Sequence, residues 1–281
     1  MTVHSKDGQS WLTKLQRLSE LSAANRGLVF NNIGHLLNAE LLRDVYQRLD
    51  GMKAVGIDGI TKEEYGSKLE ENLGNLLQRV RRGTYHPQPA RISEIPKEDG
   101  SFRPLAISCL EDKLVQSAVS RILTAIYEPL FLPCSFGFRT GLGCHDALST
   151  LHQTTFKWKD GAVVEIDIRK YFNSIPLGPL EEFLRKKIND KRLLGLLHVL
   201  ITAPTVCGGL VIPHTSGCPQ GSILSPVLAN IYLHHVIDEW FQTIGRSHFR
   251  GNASEIRYAD DMIFVFEKAA DAERFFEVLP K

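Results

Sequence analysis

The chain has 281 residues, 43% of them hydrophobic and 23% charged, with a formal net charge of +1. That length can bury a sizeable core, as one large domain or two interlocked subdomains. No apolar run approaches the ~20 residues of a membrane span, and a charge this close to zero does not by itself point to nucleic acid.

From the N-terminus, which lacks a signal-peptide core, residues 10–25 read as an amphipathic helix with Trp11, Leu12, Leu15, Leu18 and Leu21 near one stripe. Asn38 is placed to cap a second helix carrying Leu41, Leu42, Val45 and Leu49, and Thr61 with Glu64 forms a capping box for a third. The apolar face of that third helix continues through Leu69, Leu73, Leu76, Leu77 and Val80 to a stop at Gly83. Residues 91–107 read as a hairpin turning at Asp99-Gly100, and Leu114 to Ile126 as a buried helix, followed by a loop punctuated by Pro129 and Pro133. A strand over 162–168, helices near 178–187 and 190–201, and a Gly208-Gly209 hairpin joining 205–207 to 210–212 come next. A long helix over 222–243, a second hairpin around Tyr258-Ala259-Asp260-Asp261, and a helix near 269–278 complete the chain. Helices mixed with antiparallel strands define an α+β fold.

Chemistry concentrates in the acids. Asp260 and Asp261 sit at a hairpin tip, between Ile256 and the run Met262-Ile263-Phe264-Val265-Phe266, and Asp167 ends the apolar strand Val163 to Ile168. An Asp-Asp turn is common, because the side chain bonds nearby backbone. Three carboxylates on adjacent strand ends, however, are what two hard cations and phosphoryl transfer require. Arg79, Arg81, Arg82, Arg91, Lys97 and Arg103 cluster in sequence. Those at 79–82 read equally as a solvated helix end. Cys109, Cys134, Cys144, Cys207 and Cys218 show neither a CxxC pair nor zinc spacing, which fits free thiols in a reducing compartment.

Arg257-Tyr258-Ala259-Asp260-Asp261 resembles the signature of reverse transcriptases, especially the bacterial and organellar group II intron type. Five further segments resemble the family in its order: Gly56-Ile57-Asp58-Gly59; Ile95 to Leu105, like its fingers hairpin; Ser135-Phe136-Gly137-Phe138-Arg139; Glu165 to Phe172; and Pro219-Gln220-Gly221 with Ser225-Pro226 and Ala229-Asn230. The resemblance implies a right-hand polymerase with an antiparallel palm sheet packed on helices. Residues 1–105 would form an N-terminal extension and fingers, and 106–281 the remaining fingers interleaved with part of the palm. A thumb and an endonuclease module are expected to be absent.

The implied reaction is attack of a primer 3′-hydroxyl on a deoxynucleoside triphosphate, with RNA as template and DNA as primer. Asp167, Asp260 and Asp261 would be catalytic acids holding two Mg²⁺, with Mn²⁺ as an alternative, and the resemblance adds the Ile168 carbonyl as a ligand. Lys97 and Arg103 would reach the triphosphate, their alternative being ordinary edge-strand charge. By resemblance alone, Phe172 rather than Tyr171 would pack beneath the deoxyribose. Gln220 would contact the nucleotide or template, or else serve only as a helix-entry turn, and Arg139 would touch template backbone or brace its own loop. Intron RNA and a complementary thumb-containing fragment are further expected partners, a membrane is not, and the expected compartment is a bacterial cytoplasm, with an organelle as alternative. The competing reading is a truncated, non-processive RNA-binding or maturase-like module.

Overall fold

The computed structural model describes residues 10–96, 100, 102–158, 160–214, 216–243 and 245–279. Lys97, expected over the triphosphate, and Asp99 of the expected turn lie outside the described residues.

Helices α1 (Ser10–Ala24) and α2 (Ala39–Arg48) form where the leucine spacing places them, and the Asn38 side chain caps α2 by accepting from the Leu41 N–H at 2.9 Å. Thr61 and Glu64 form the expected capping box, but it opens only the short α3 (Lys62–Gly66). The single helix expected here breaks at Lys68, whose φ of −130° and ψ of 41° are non-helical, and α4 (Leu69–Arg82) starts afresh and ends at Gly83 with φ 70°. The hairpin β1 (Ala90–Pro96) and β2 (Phe102–Ile107) precedes α5 (Leu110–Tyr127). Helix α6 (Cys144–Lys157) has no counterpart among the expected elements. Strand β3 (Ala162–Ile166) stops one residue before Asp167, and α7 (Tyr171–Ser174), α8 (Leu177–Arg185) and α9 (Lys191–Ile201) follow. Strands β4 (Thr205–Cys207) and β5 (Leu210–Ile212) flank the Gly208-Gly209 turn as expected. The long helix expected over 222–243 is three pieces: α10 (Ser225–Leu233), a π-helical turn (His234–Asp238) and α11 (Glu239–Thr243). Strands β6 (Ala253–Tyr258) and β7 (Asp261–Phe266) form the acid-tipped hairpin, and α12 (Ala269–Val278) ends the described chain.

These elements make two compact units, one of Met1–Leu130 with Phe172–Val227, the other of Phe131–Tyr171 with Leu228–Lys281. In the first, α5 is the spine. Leu114, Val115, Ala118, Val119, Ile122 and Leu123 are fully buried, and α1 and α2 pack on this helix. The sheet beside it runs β2-β1-β4-β5, antiparallel except for a parallel β1–β4 pairing.

The second unit is built on the antiparallel sheet β3-β7-β6. Its central strand β7 buries both faces, which is why its sequence is almost continuously apolar. Met262, Phe264 and Phe266 join Phe241 of α11 and Phe275 of α12 in an aromatic core, with Phe264 and Phe275 ring centroids 4.6 Å apart. Val265 on the opposite face packs with Phe136, Ala147 of α6 and Ile256.

Candidate active site

In the second unit, β3 and β7 pair with Ile166 opposite Met262, so the next step of the same register brings Asp167 alongside Asp261. Tyr258 pairs with Asp261 across the hairpin, leaving Ala259 and Asp260 as the two-residue turn. Asp167 and Asp261 are exposed and Asp260 is half-buried. The sheet therefore gathers the three expected acids at one end, as oxygen donors open to solvent. Ile168, one residue beyond Asp167, packs its side chain into the aromatic core.

The turn is held from below by a buried cation. Arg257 has no exposed surface, yet all five of its guanidinium N–H donors are used. Nε and Nη2 bind Asp238 at 2.7 and 2.6 Å, Nη2 also donates to Ser135 Oγ at 2.8 Å, and Nη1 donates to Asn230 Oδ1 and the Ala259 carbonyl, both at 3.0 Å. Burial, the largest single influence, lowers the Arg257 pKa, but the charge and hydrogen bonds of Asp238, with smaller contributions from Glu255 and Cys134, together raise it. Burial would likewise raise Asp238, and Arg257 holds it below its ordinary value. The bond to Ala259 matters because that residue adopts φ 59°, a left-handed conformation costly for any residue with a Cβ.

The loop Cys134 to Gly137 completes the support. Its backbone pairs with β6 through Arg257 N–H to Cys134 O and Phe136 N–H to Arg257 O, both 2.8 Å. Gly137 backs directly onto the Ala259 amide, where a Cβ has no room, and its carbonyl accepts from Asn230 Nδ2 at 2.8 Å. Three segments that sequence comparison singles out separately thus form one hydrogen-bonded assembly. Sequence reasoning gave Arg257 and Asn230 no role and passed over Asp238. The available signal was a cation at a core-facing position of a strand, which demands a buried acid. Arg139 is placed in its own loop, donating to the Leu132 and Ser135 carbonyls at 3.1 and 2.7 Å and lying over the Phe131 ring.

Glu255 shares this face of β6. It is buried, neither carboxylate oxygen receives an ordinary hydrogen bond, and one of them lies within 4.8 Å of both an Asp238 oxygen and the Cys134 sulfur. Burial first, and then the Asp238 charge, push its pKa well above the usual carboxylate value. Of these two buried acids, Asp238 is thus held toward its charged form and Glu255 is pushed toward its neutral one.

The first unit assembles the other expected residues. The Gln220 carbonyl accepts from the Ala106 N–H of β2 at 2.6 Å, and Gly221, at φ 103°, lies so close to the Ala106 carbonyl that a Cβ would stand 2.6 Å from its oxygen. Ser225 Oγ donates to the Pro219 carbonyl at 2.9 Å, so the Gln220 segment is also the entry turn of α10. The Cys218 N–H donates to the Phe172 carbonyl at 2.7 Å. Half-buried Phe172 and Gln220 are thereby tied to β2, on which Arg103 is exposed opposite Ile95. A cavity of about 780 Å³ elsewhere in this unit, lined by Asp58, Tyr65, Arg79, Tyr85, Glu111 and Asp112 among others, includes none of them.

Residues 95–281 match the family model described as reverse transcriptase (RNA-dependent DNA polymerase). The group II intron-encoded protein LtrA of Lactococcus lactis subsp. cremoris is 36% identical over 226 residues, 79% of this chain and 37% of the relative. An uncharacterized 91 kDa protein in the cob intron of Schizosaccharomyces pombe is 34% identical over 240 residues, 83% of this chain and 29% of its own. The chain belongs to the reverse transcriptase family, and to its group II intron type. It spans about a third of the length of these two relatives. Among solved structures, a partial Cas6-RT-Cas1–Cas2 complex matches 83% of this chain and 37% of that one, with a TM-score of 0.50 at 22% identity. That likeness concerns the fold alone, which is the α+β architecture with an antiparallel sheet expected from the sequence. Among the described residues, no helix is long and apolar enough to cross a membrane.

Proposed function

We propose that this chain carries out RNA-directed DNA synthesis, extending a DNA primer on an RNA template with deoxynucleoside triphosphates. The observation that carries the reading is the convergence of Asp167, Asp260 and Asp261 at one end of the β3-β7-β6 sheet, on a hairpin locked by the buried Arg257. Their all-oxygen, solvent-open donor set fits Mg²⁺, and Mn²⁺ less selectively. Asp167, Asp260 and Asp261, with the Ile168 carbonyl, would hold two such ions. When bound, the pair lowers the pKa of the primer hydroxyl and neutralises charge on the leaving pyrophosphate. The chain's own contribution is placement. Arg257, Asn230 and Gly137 fix the turn that carries Asp260, so that it does not reorganise when substrate arrives.

In the first unit, Arg103 would offer a bidentate fork to the triphosphate, and Lys97, outside the described residues, is the second cation that the family resemblance assigns to it. Phe172 would set the floor under the sugar, and Gln220, anchored through its carbonyl, would present its side chain to the nucleotide or template. Arg139 would brace its loop, with contact to template backbone as the alternative role. In this reading residues 1–105 form the N-terminal extension and fingers, and 106–281 the rest of the fingers interleaved with palm. The intron-encoded relatives favour a second, compatible reading in which intron RNA is bound and its splicing assisted.

Primer extension on an RNA template with Mg²⁺ tests the proposal. Asp260→Asn and Asp167→Asn should each abolish nucleotide addition while the protein stays folded, with an unfolding free energy within about 0.5 kcal/mol of wild type for the exposed Asp167. Near-wild-type extension by either folded variant removes the assignment. Intron RNA binding retained by Asp260→Asn separates the second reading from synthesis.

A further inference from the structure

We propose that His234, His235 and Glu239 bind one divalent transition-metal ion of the Zn²⁺ class, at a site distinct from the three acids of the hairpin. The π-helical turn creates it. The Glu239 N–H donates to the His234 carbonyl, an i to i+5 bond, so residues five apart share a face that an α-helix would not give them. His234 Nε2 stands 3.5 Å from Glu239 Oε1, His235 Nδ1 stands 2.7 Å from Glu239 Oε2, and one ligand atom from each residue lies within 4.8 Å of the others. A tetrahedral ion with bonds of roughly 2.0–2.1 Å separates its ligands by about 3.4 Å. The cluster therefore needs only small side-chain adjustments to close on a metal.

A plain His235–Glu239 hydrogen bond explains one contact and leaves His234 unexplained. That side chain is 3% exposed, and its Nδ1 has no hydrogen-bond partner. The acid on the Nδ1 side is Asp238, with Oδ2 at 3.8 Å. Metal at Nε2 fixes the proton on Nδ1, facing that carboxylate, which is the usual orientation of a ligating histidine. Two imidazoles and one carboxylate select the Zn²⁺ class over Mg²⁺. The Glu239 side chain is 46% exposed, giving the ion a path in and leaving a fourth position for water. The neighbouring trio Cys134, Asp238 and Glu255 is fully buried and already holds the Arg257 cation, so it takes no second one.

The test uses the untagged 281-residue chain, stripped with a chelator. Zn²⁺ is titrated in competition with a chromophoric chelator, and Co²⁺ in parallel for its visible spectrum. One ion should bind per chain, with the Co²⁺ bands of nitrogen and oxygen ligation, in wild type and equally in Asp260→Asn. Glu239→Gln, at a half-exposed side chain, and His235→Ala, at a side chain 6% exposed, should each lower affinity at least roughly 10–100-fold, the cost of losing even an outer-shell partner. Binding unchanged in both variants, no saturable binding by wild type, or Co²⁺–thiolate charge-transfer bands that reveal cysteine ligation would each overturn the proposal. Loss of binding in Asp260→Asn would place the ion at the hairpin acids and overturn it as well.

Discussion

Glu255→Gln should stabilise this protein, and by an amount that grows with pH. In the wild type, Glu255 lies buried against Asp238, which already carries the charge that neutralises Arg257. A second buried anion there has no partner, so folding requires Glu255 to take up a proton. For a carboxyl whose ordinary value is 4.5, staying neutral costs about 1.4 kcal/mol for each pH unit between that value and the raised, folded one. The folded-state pKa is raised, so the contribution of Glu255 is fully present below its ordinary value and is lost as pH rises toward the folded one. Asp238 has the opposite sign: its value is lowered, and its contribution disappears only as pH falls below about the ordinary 3.8, outside this window. A glutamine at 255 keeps an N–H for Asp238 and an oxygen for the Cys134 thiol, with no proton to take up. Urea unfolding of both proteins in chelator, between about pH 5 and 8, should give a difference that starts under about 1 kcal/mol and grows by about 1.4 kcal/mol per pH unit until the raised, folded value is reached. A pH-independent difference, or one that increasingly favours glutamate, would refute the neutral-acid assignment.

Arg257→Lys keeps the charge but loses the fork, so unfolding free energy should fall by about 1–3 kcal/mol. The single-turnover rate of nucleotide addition should fall with it, while nucleotide affinity changes less; a rate equal to wild type would deny Arg257 a positioning role. Gly137→Ala drives a methyl group into the Ala259 amide and should cost about 1–3 kcal/mol as overpacking, together with most primer extension; thermal unfolding and extension both unchanged would show that the loop does not brace the turn. Phe172→Ala should narrow the preference for deoxy- over ribonucleotides more than it weakens nucleotide binding, and an unchanged ratio in paired incorporation assays would make Phe172 a packing residue. Binding of an RNA–DNA hybrid should weaken steeply with salt, by a log–log slope of roughly 0.7–0.9 per phosphate neutralised, and salt-insensitive binding would show that the basic residues clustered between Arg79 and Arg103 neutralise no phosphates.

The parts of this fold legible in the sequence are those whose information is local. The hairpin 205–212 follows from two β-branched runs around Gly208-Gly209, and the helix start at Asn38 from a side chain three residues from the N–H that it caps. Helix α6 escaped because it presents little periodicity: Ala147 is its one buried residue, Leu148 and Phe156 are exposed, and Thr154 and Thr155 bond back to carbonyls four residues earlier. The acids were legible because each ends an apolar run. The assembly beneath them was not, because Asp238, Asn230 and Ser135 lie 19, 27 and 122 residues from Arg257 and meet it only after the sheet has formed.

The π turn shows why the missing part matters. A continuous α-helix rotates each residue by about 100° from the last, and a turn closed by an i to i+5 bond accommodates one residue more than an α-helical turn does. In this unit that extra residue sets which side chains of 234–239 face β6. Asp238 reaches Arg257, and Arg257 reaches the carbonyl of Ala259, next to Asp260. The same rotation aligns His234 with Glu239 on the other side of the turn. The arginine before Tyr258 is thus one end of a support whose other end is a helical irregularity. A replacement of α10, the π turn and α11 by an ideal helix would be expected to keep the acids and lose the geometry that aims them.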